Sequence, residues 1–334
     1  MKEEHANGSL YGNENVSIWS ADDLRRHWLL WIDTIDLSVP VKTGKSGEDV
    51  ILPRKRVIVQ AEMDPVVKSI FARWDRISAE ERFDAWERLK NATREAMKDI
   101  LETCVQCGEC CRRGSPVLRL EDLDLLRTER IPWKFLYTIR SGEPVTAPDK
   151  ESIFFLIDER IKLREKEGSR ECLFLDPDTS LCTIYDDRPL ECRAQACWDP
   201  SGYMELENQP YLTRRDLFSH IEVLWDVIQA HNLRCGFEKL FGLVRELRSE
   251  RSRDKASEIA SRIIELVSYE SHFRSFMAEQ LNIPSDVLDL VFGRSLEQLL
   301  KQLGYRIRIE GDTKFLEIME EDDSREDSQR SGDM

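Results

Sequence analysis

The sequence lacks several features that mark common classes of protein. None of its 334 residues lies in an apolar run approaching 18 residues, so we expect no transmembrane helix. The N-terminal segment has no apolar core, so we expect no secretory signal. Acidic residues outnumber basic ones by 64 to 49, and the net charge of −15 argues against nucleic-acid binding through a basic surface. No phosphate-binding glycine loop, nucleophile elbow or H-E-x-x-H motif occurs, so no catalytic residue or substrate pocket can be assigned.

Histidine is also scarce, whereas cysteine is concentrated. The chain has five histidines, and none lies between His27 and His220. It has nine cysteines, and positions 104–111 alone contain four of them. Because no export signal is visible, we predict a cytoplasmic protein whose cysteines are metal ligands or redox groups before they are disulfides.

Eight of the nine cysteines fall into two groups separated by sixty residues: Cys104, Cys107, Cys110 and Cys111, then Cys172, Cys182, Cys192 and Cys197. The two-residue spacing within the first group allows a tight loop to direct neighbouring sulfurs onto one ion. Eight thiols suffice for two four-thiolate centres, and the adjacent Cys110 and Cys111 are expected to serve different centres, unless one of them only packs. Thiolate ligands suit zinc or an iron–sulfur cluster such as 4Fe–4S, and the spacing does not decide between them. Disulfides and a catalytic thiol pair at Cys110 and Cys111 are the alternatives, and Cys235 is predicted to be a core residue.

Other residues in this region have side chains or backbones suited to a thiolate centre. Gly108 permits a positive φ or a close backbone approach to a metal, and Tyr185 can donate to a thiolate or simply pack. Four arginines bracket the cysteines and can offset thiolate charge: Arg112, Arg113, Arg188 and Arg193. In the alternative interpretation these arginines form surface ion pairs with Asp186, Asp187 and Glu191.

The order of these residues is similar to that of a known family. The run Cys104-Val-Gln-Cys107-Gly108-Glu-Cys110-Cys111 precedes the second cysteine group, which is accompanied by Tyr185, Arg188, Pro189 and Arg193. Over about residues 100–200 this pattern resembles the YkgJ-type cysteine-cluster family, whose CxxCxxCC signature marks a zinc- or iron-chelating domain. The resemblance implies a bacterial cytoplasmic protein whose eight clustered cysteines hold a metal or cluster beside Gly108, Tyr185, Arg188 and Arg193. The chain departs from the pattern at Ala196, where a proline is expected.

The periodicity predicts a predominantly helical α+β protein, in which a compact cysteine-rich domain with a small hairpin is flanked by helical segments. The predicted regions are a disordered segment at 1–16, a helical region at 17–99, the cysteine-cluster domain at 100–200, a helical region at 211–304, a hairpin at 305–318 and an acidic disordered tail at 319–334.

Particular elements are also predicted. Ser20 and Asp64 are expected to begin helices, and a helix opening at Ser78 is expected to run directly into Cys104. Residues 172–185 are expected to form the small hairpin, with one cysteine on each arm. A single helix is expected within 285–303.

These observations predict a protein that binds zinc or an iron–sulfur cluster through Cys104, Cys107, Cys110, Cys111, Cys172, Cys182, Cys192 and Cys197. Two alternatives from other classes stay open. One is an iron–sulfur-dependent enzyme such as a protein lysine N-methylase-like transferase. The other is an interaction protein with a purely structural metal, whose helical flanks bind a protein partner.

Overall fold

A computed structural model describes residues 16–40, 49–146, 153–311 and 313–319, except for the side chains of Thr146 and Ile153. The segment expected to be disordered at 1–16 lies outside these residues apart from Val16, and the acidic tail at 319–334 lies outside them apart from Met319.

Helices dominate the described part of the chain and strands form only small antiparallel pairs, which confirms the predicted fold class. The α-helices are α1 (Ala21–Ile32), α2 (Arg54–Met63), α3 (Pro65–Arg73), α4 (Arg82–Lys98), α5 (Glu109–Arg113), α6 (Leu123–Arg127), α7 (Leu190–Ala194), α8 (Ser201–Met204), α9 (Arg214–Phe218), α10 (Glu222–Arg234), α11 (Phe237–Ser249), α12 (Arg253–Leu281), α13 (Leu288–Phe292) and α14 (Leu296–Gln302). The strands are β1 (Ser38–Pro40), β2 (Asp49–Ile51), β3 (Leu136–Ile139), β4 (Pro144–Thr146), β5 (Ile153–Phe155), β6 (Arg160–Leu163), β7 (Tyr305–Glu310) and β8 (Thr313–Ile318). Single turns of 3-10 helix lie at Val16–Ile18, Trp74–Arg76, Leu120–Asp122, Trp133–Phe135, Tyr185–Asp187, Glu205–Asn208 and Ser285–Val287.

The strand pairs are β1–β2, β3–β6, β4–β5 and β7–β8. In the β3–β6 pair, Leu136 lies opposite Leu163, and both side chains are buried. The β7–β8 pair aligns Tyr305 with Ile318 and Glu310 with Thr313, within the segment predicted as a hairpin at 305–318.

The chain divides into two compact units that are not contiguous in sequence. Unit 1 comprises Met1–Cys110, Leu175–Thr183 and Ala194–Glu207, and unit 2 comprises Cys111–Phe174, Ile184–Arg193 and Asn208–Met334. The predicted cysteine-cluster domain at 100–200 therefore contributes to both units, and one of the boundaries between them falls between Cys110 and Cys111.

Unit 1 is built on helices α1 to α4, whose apolar faces form one core. Ser20 begins α1 as predicted, because its hydroxyl accepts from Asp23 N–H while the Asp23 carboxylate accepts in return from Ser20 N–H. Trp28 and Trp74 are fully buried, and Trp28 Nε1 donates to Thr93 Oγ1 at 2.9 Å. The indole nitrogen therefore has a partner inside the core, as a buried polar atom requires.

Unit 2 contains two apolar clusters. One gathers residues of β3, β6, α9, α10 and α13, including Leu136, Phe218 and Phe292. The other gathers residues of α11, α12, α14 and β7, including Leu240 and Ile263. No helix of the residues described is both long and apolar enough to cross a lipid bilayer.

Three sequence predictions about local structure need correction. Helix α4 ends at Lys98 instead of running into Cys104, so a non-helical segment leads to the cysteine loop. Regular strands do not form at 172–185, where an isolated bridge joins Leu175 and Cys182. The expected helix at 285–303 is interrupted at Gly293, whose φ of 79° is incompatible with helix continuation.

Candidate metal centre

The loop that follows α4 directs backbone amides at two cysteine sulfurs. Gln106 N–H donates to Cys104 Sγ at 3.4 Å, and Glu109 N–H donates to Cys107 Sγ. Gln106 has a φ of 52° and Gly108 a φ of 78°, so the chain turns sharply after each of these cysteines. The positive φ predicted for Gly108 is therefore present, whereas the same conformation at Gln106 was not expected from its residue type.

Two buried thiols of unit 1, Cys107 and Cys197, are influenced by other thiols of the same unit. Burial raises the pKa of the Cys107 thiol above its ordinary value, and the neighbouring Cys197 and Cys110 raise it further. Burial also raises the pKa of Cys197, to which Cys110 and Cys104 add. Cys197 is separated from the loop by more than eighty residues of sequence, yet the fold of unit 1 brings it to the loop that carries the other three.

One cation acts against these effects. Arg56 of α2 donates from Nη1 to Cys197 Sγ at 3.4 Å, and both its charge and this hydrogen bond lower the Cys197 pKa, although burial outweighs them. Sequence reasoning missed Arg56 because it lies outside the cysteine region, on a helix with no unusual pattern.

The remaining clustered cysteines have different surroundings. Cys182 belongs to unit 1, where it pairs with Leu175 across the isolated bridge. Cys111, Cys172 and Cys192 belong to unit 2. There, Cys172 N–H donates to the Cys111 carbonyl at 2.8 Å, so the backbones of these two cysteines lie side by side.

Cys192 lies on α7, whose first turn is fixed by buried polar contacts. Asp122 Oδ1 accepts from Leu190 N–H at 2.8 Å, and Glu191 forms a buried ion pair with Arg119 at 3.0 Å. The Asp122 bond satisfies the first amide of the short helix, and the ion pair anchors its second residue. A helix of five residues is too short to be stable alone.

Two of the three side chains assigned by resemblance have other partners in unit 2. Arg188 stacks over the Tyr185 ring at 3.7 Å and donates from Nε to the Tyr185 carbonyl at 2.8 Å. Arg193 forms an exposed ion pair with Glu121 at 2.8 Å. A third arginine of the bracketing set, Arg112, pairs with Glu171. For Arg193 the partner is a carboxylate, as the alternative interpretation expected, but not one of the three carboxylates it named.

The donor chemistry of the four thiols in unit 1 fits a thiophilic metal. All nine cysteines, each within the described ranges, are present as thiols and not as disulfides. Zinc in a four-thiolate site requires sulfurs about 3.8 Å apart, given a Zn–S bond of about 2.3 Å. Throughout the described portion, no group of three or more histidine, cysteine, aspartate or glutamate side chains adopts an arrangement that could hold a metal ion. The thiols of unit 1 therefore have the donor chemistry for such a metal, but their side chains would have to converge to form a coordination sphere.

Cys235 is separate from this group, as predicted. It is fully buried in the apolar cluster of α11, α12 and α14 in unit 2. Burial raises the pKa of its thiol to about 11, so the thiolate form is suppressed at neutral pH.

Comparison with known families confirms the resemblance noted in the sequence. Residues 103–211 match the model of the CxxCxxCC family, described as a putative zinc- or iron-chelating domain. The match covers about a third of the chain and includes all eight clustered cysteines. Searches against curated proteins and against solved structures gave no match.

Proposed function

We propose that the chain binds zinc or an iron–sulfur cluster through its clustered cysteines, with Cys104, Cys107, Cys110 and Cys197 as the primary ligands. The observations that carry this proposal are the loop amides directed at Cys104 and Cys107 and the Arg56 guanidinium directed at Cys197, all within unit 1. The effects of neighbouring thiols on the pKa of Cys107 and Cys197 support it. The family described as zinc- or iron-chelating supports the choice of metal.

The amide contacts in the loop support the same assignment. Backbone N–H groups that donate to Cys104 and Cys107 stabilise negative charge on sulfur, which is the form that ligates a metal. The two positive-φ residues, Gln106 and Gly108, produce this backbone geometry. A bound zinc ion would link the loop to the segment that carries Cys197 and stabilise unit 1. A bound iron–sulfur cluster would form the same link and could also transfer electrons.

We propose the other four clustered cysteines, Cys111, Cys172, Cys182 and Cys192, as further ligands. Cys182 lies in unit 1, whereas the other three lie in unit 2. Substitutions in the two units can therefore be tested separately. The number of metal ions or clusters per chain reports whether a second centre exists.

The first experiment is anaerobic purification followed by metal analysis and a visible spectrum. A brown protein with broad thiolate-to-iron absorption would identify an iron–sulfur cluster. A colourless protein with one or two zinc ions per chain would identify zinc. A folded protein that contains neither metal and binds neither on reconstitution would refute the proposal.

Site variants then test the primary set. Cys107→Ser should lower the metal content, because a serine hydroxyl is a poor ligand for a thiophilic metal. Cys235→Ser is the matched control and should leave the metal content unchanged, since Cys235 belongs to the apolar core of unit 2.

The adjacent cysteines offer a sharper comparison. Cys110 lies with the primary set in unit 1, whereas Cys111 lies in unit 2 beside Cys172. Cys110→Ser should therefore lose metal that Cys111→Ser retains. Equal and complete loss of metal from both variants would contradict this division of the ligands.

A further inference from the structure

Arg56 is a buried cation that lies against the proposed metal centre. It belongs to α2, well outside the family match at 103–211, and only 1 % of its surface is exposed. Its Nη1 donates to Cys197 Sγ at 3.4 Å and to the Thr103 carbonyl at 3.1 Å, and its Nη2 donates to the Leu101 carbonyl. The guanidinium carbon also lies 4.5 Å from the centroid of the Trp198 ring.

These contacts connect two segments that the sequence separates widely. Leu101 and Thr103 lead directly into the loop that begins at Cys104, whereas Cys197 and Trp198 come from the far end of the cysteine region. A planar guanidinium can donate in several fixed directions at once, which a lysine ammonium cannot reproduce. Arg56 therefore holds the first and last segments of the primary ligand set in register.

The charge of Arg56 lacks the usual counter-charge. Within the described residues it forms no ion pair with a carboxylate, and its Nε is buried without a hydrogen-bond partner. Burial of an unpaired cation is costly. A centre of four thiolates around a divalent metal carries net negative charge, which would supply the missing counter-charge.

We propose that Arg56 is a positioning residue of the metal centre. It donates to the sulfur of the ligand Cys197, offsets the negative charge of the thiolates and fixes the approach to Cys104. This inference rests on the proposed metal-binding function and extends it to a residue of the helical N-terminal region.

The test compares three variants of the full-length protein: Arg56→Gln, Arg56→Lys and Arg54→Gln. Arg54 is the matched control, because it lies on the same helix but is exposed and pairs with Asp33. Zinc affinity is measured by competition with a chromophoric chelator. Loss of a hydrogen-bonding group next to a metal ligand typically lowers affinity by about 10- to 100-fold, and we expect a loss of this size in Arg56→Gln with unchanged stoichiometry. Arg54→Gln should match the wild type.

Cobalt(II) provides a readout that a merely structural role would not change. Without the guanidinium, the sulfur electrons of Cys197 lie at higher energy, so the sulfur-to-cobalt charge-transfer band of Arg56→Gln should move to longer wavelength. Arg56→Lys keeps the charge and is the variant expected to fold if Arg56→Gln does not. It should recover part of the affinity, because it retains the counter-charge but loses the fork of donors.

The possible failures are distinguishable. If Arg56→Gln or Arg56→Lys is less stable without metal but binds zinc as tightly as the wild type, with an unshifted cobalt band, Arg56 is only a structural residue and the inference is wrong. If the wild type binds no metal, or Cys107→Ser binds as much as the wild type, the proposed function itself fails.

Discussion

His231 in unit 2 offers a quantitative prediction about pH and stability. Its ring is fully buried between Phe273 and Phe292, and Nε2 lies 3.2 Å from Glu270 Oε1, while Nδ1 has no hydrogen-bond partner. Burial lowers the His231 pKa from 6.5 to about 4, and although the Glu270 hydrogen bond opposes this effect, the charge of Arg140 adds to it. The ring is therefore neutral in the folded protein at neutral pH, with Nε2 protonated and donating to Glu270.

The direction in which stability changes with pH follows from the difference in proton binding between the folded and unfolded chains. Between pH 6.5 and about 4 the unfolded chain binds a proton at His231 that the folded chain does not, so stability falls as the pH falls through this range. At about 1.4 kcal/mol per pKa unit, the full loss amounts to about 3 kcal/mol, and the part between pH 7.5 and 5.5 is about 1 kcal/mol. This interval avoids most carboxylate titration. Burial alone would raise the Glu270 pKa, but hydrogen bonds from His231 and Arg274 and the Arg274 charge bring it below the ordinary value.

Hydrogen exchange measures this loss locally, which is needed because the chain has two compact units. Amide exchange in α10 and α12, corrected for the intrinsic effect of pH, gives the opening free energy at pH 7.5 and at pH 5.5. His231→Gln keeps a donor for Glu270 but cannot titrate, so its opening free energy should change by about 1 kcal/mol less than that of the wild type over this interval.

His272→Gln is the control, since His272 lies on α12 with an exposed side chain. It should leave the wild-type pH dependence in place. An equal pH dependence in the wild type and His231→Gln would refute the reasoning, because it would mean that His231 binds protons equally in the folded and unfolded chains.

Three further substitutions or modifications have expected outcomes. Glu191→Ala removes the carboxylate that pairs with buried Arg119 and should lower the free energy of unfolding by about 3–5 kcal/mol. The melting temperature of unit 2 should fall, and an unchanged melting temperature would contradict the buried pair. Trp28→Ala removes a fully buried ring and should lower the free energy of unfolding in urea by about 3–5 kcal/mol. Leu30→Ala, at an exposed position of the same helix, should lower it by about 0.5 kcal/mol or less, and equal effects would contradict the assigned helix face. Cys235 should resist alkylation in the native protein and react only after unfolding, because it is fully buried and its thiol pKa is raised to about 11. Mass spectrometry measures the labelling, and rapid labelling of the native protein would refute this prediction.

The starts of several helices were predictable because they depend on local chemistry. Ser20 and Asp64 each accept from amides two or three residues ahead, and Pro65 follows at the first helical position. Both partners of each such bond lie within four consecutive residues, so a single sequence is enough to predict them. The candidate cysteines could be selected for a similar reason, since cysteines at two-residue spacing are typical of metal sites, and their ligation stays a prediction.

The end of α4 was not predictable, because residues far away in sequence determine it. Gln60 Nε2 donates to the carbonyls of Ala96 and Asp99, and Arg56 Nη2 donates to the carbonyl of Leu101. These bonds satisfy acceptors at and beyond the helix end that continued helix would have used internally. The partners lie 36 to 45 residues away, so no local pattern encodes the stop.

The partition of the cysteines was hidden for the same reason. Spacing gave two groups of four, but the fold assigns Cys110 and Cys197 to unit 1 and Cys111 to unit 2. Adjacent side chains on a backbone point in different directions, which predicted that Cys110 and Cys111 would differ, but not which distant cysteine each would join.

The position of Arg56 in α2 extends the proposed metal centre beyond the family match. The family match begins at residue 103, after both α2 and the Leu101 carbonyl that Arg56 binds. It also crosses the division between the units at five points, since segments 175–183 and 194–207 return to unit 1 and the match ends in unit 2. The core that supports the primary thiols comes from α1 to α4, and Trp198 packs against that core. The helical region before residue 100 is therefore part of the structure that positions the thiols, because without it Cys197 would lose both its guanidinium donor and the packing of the residue beside it.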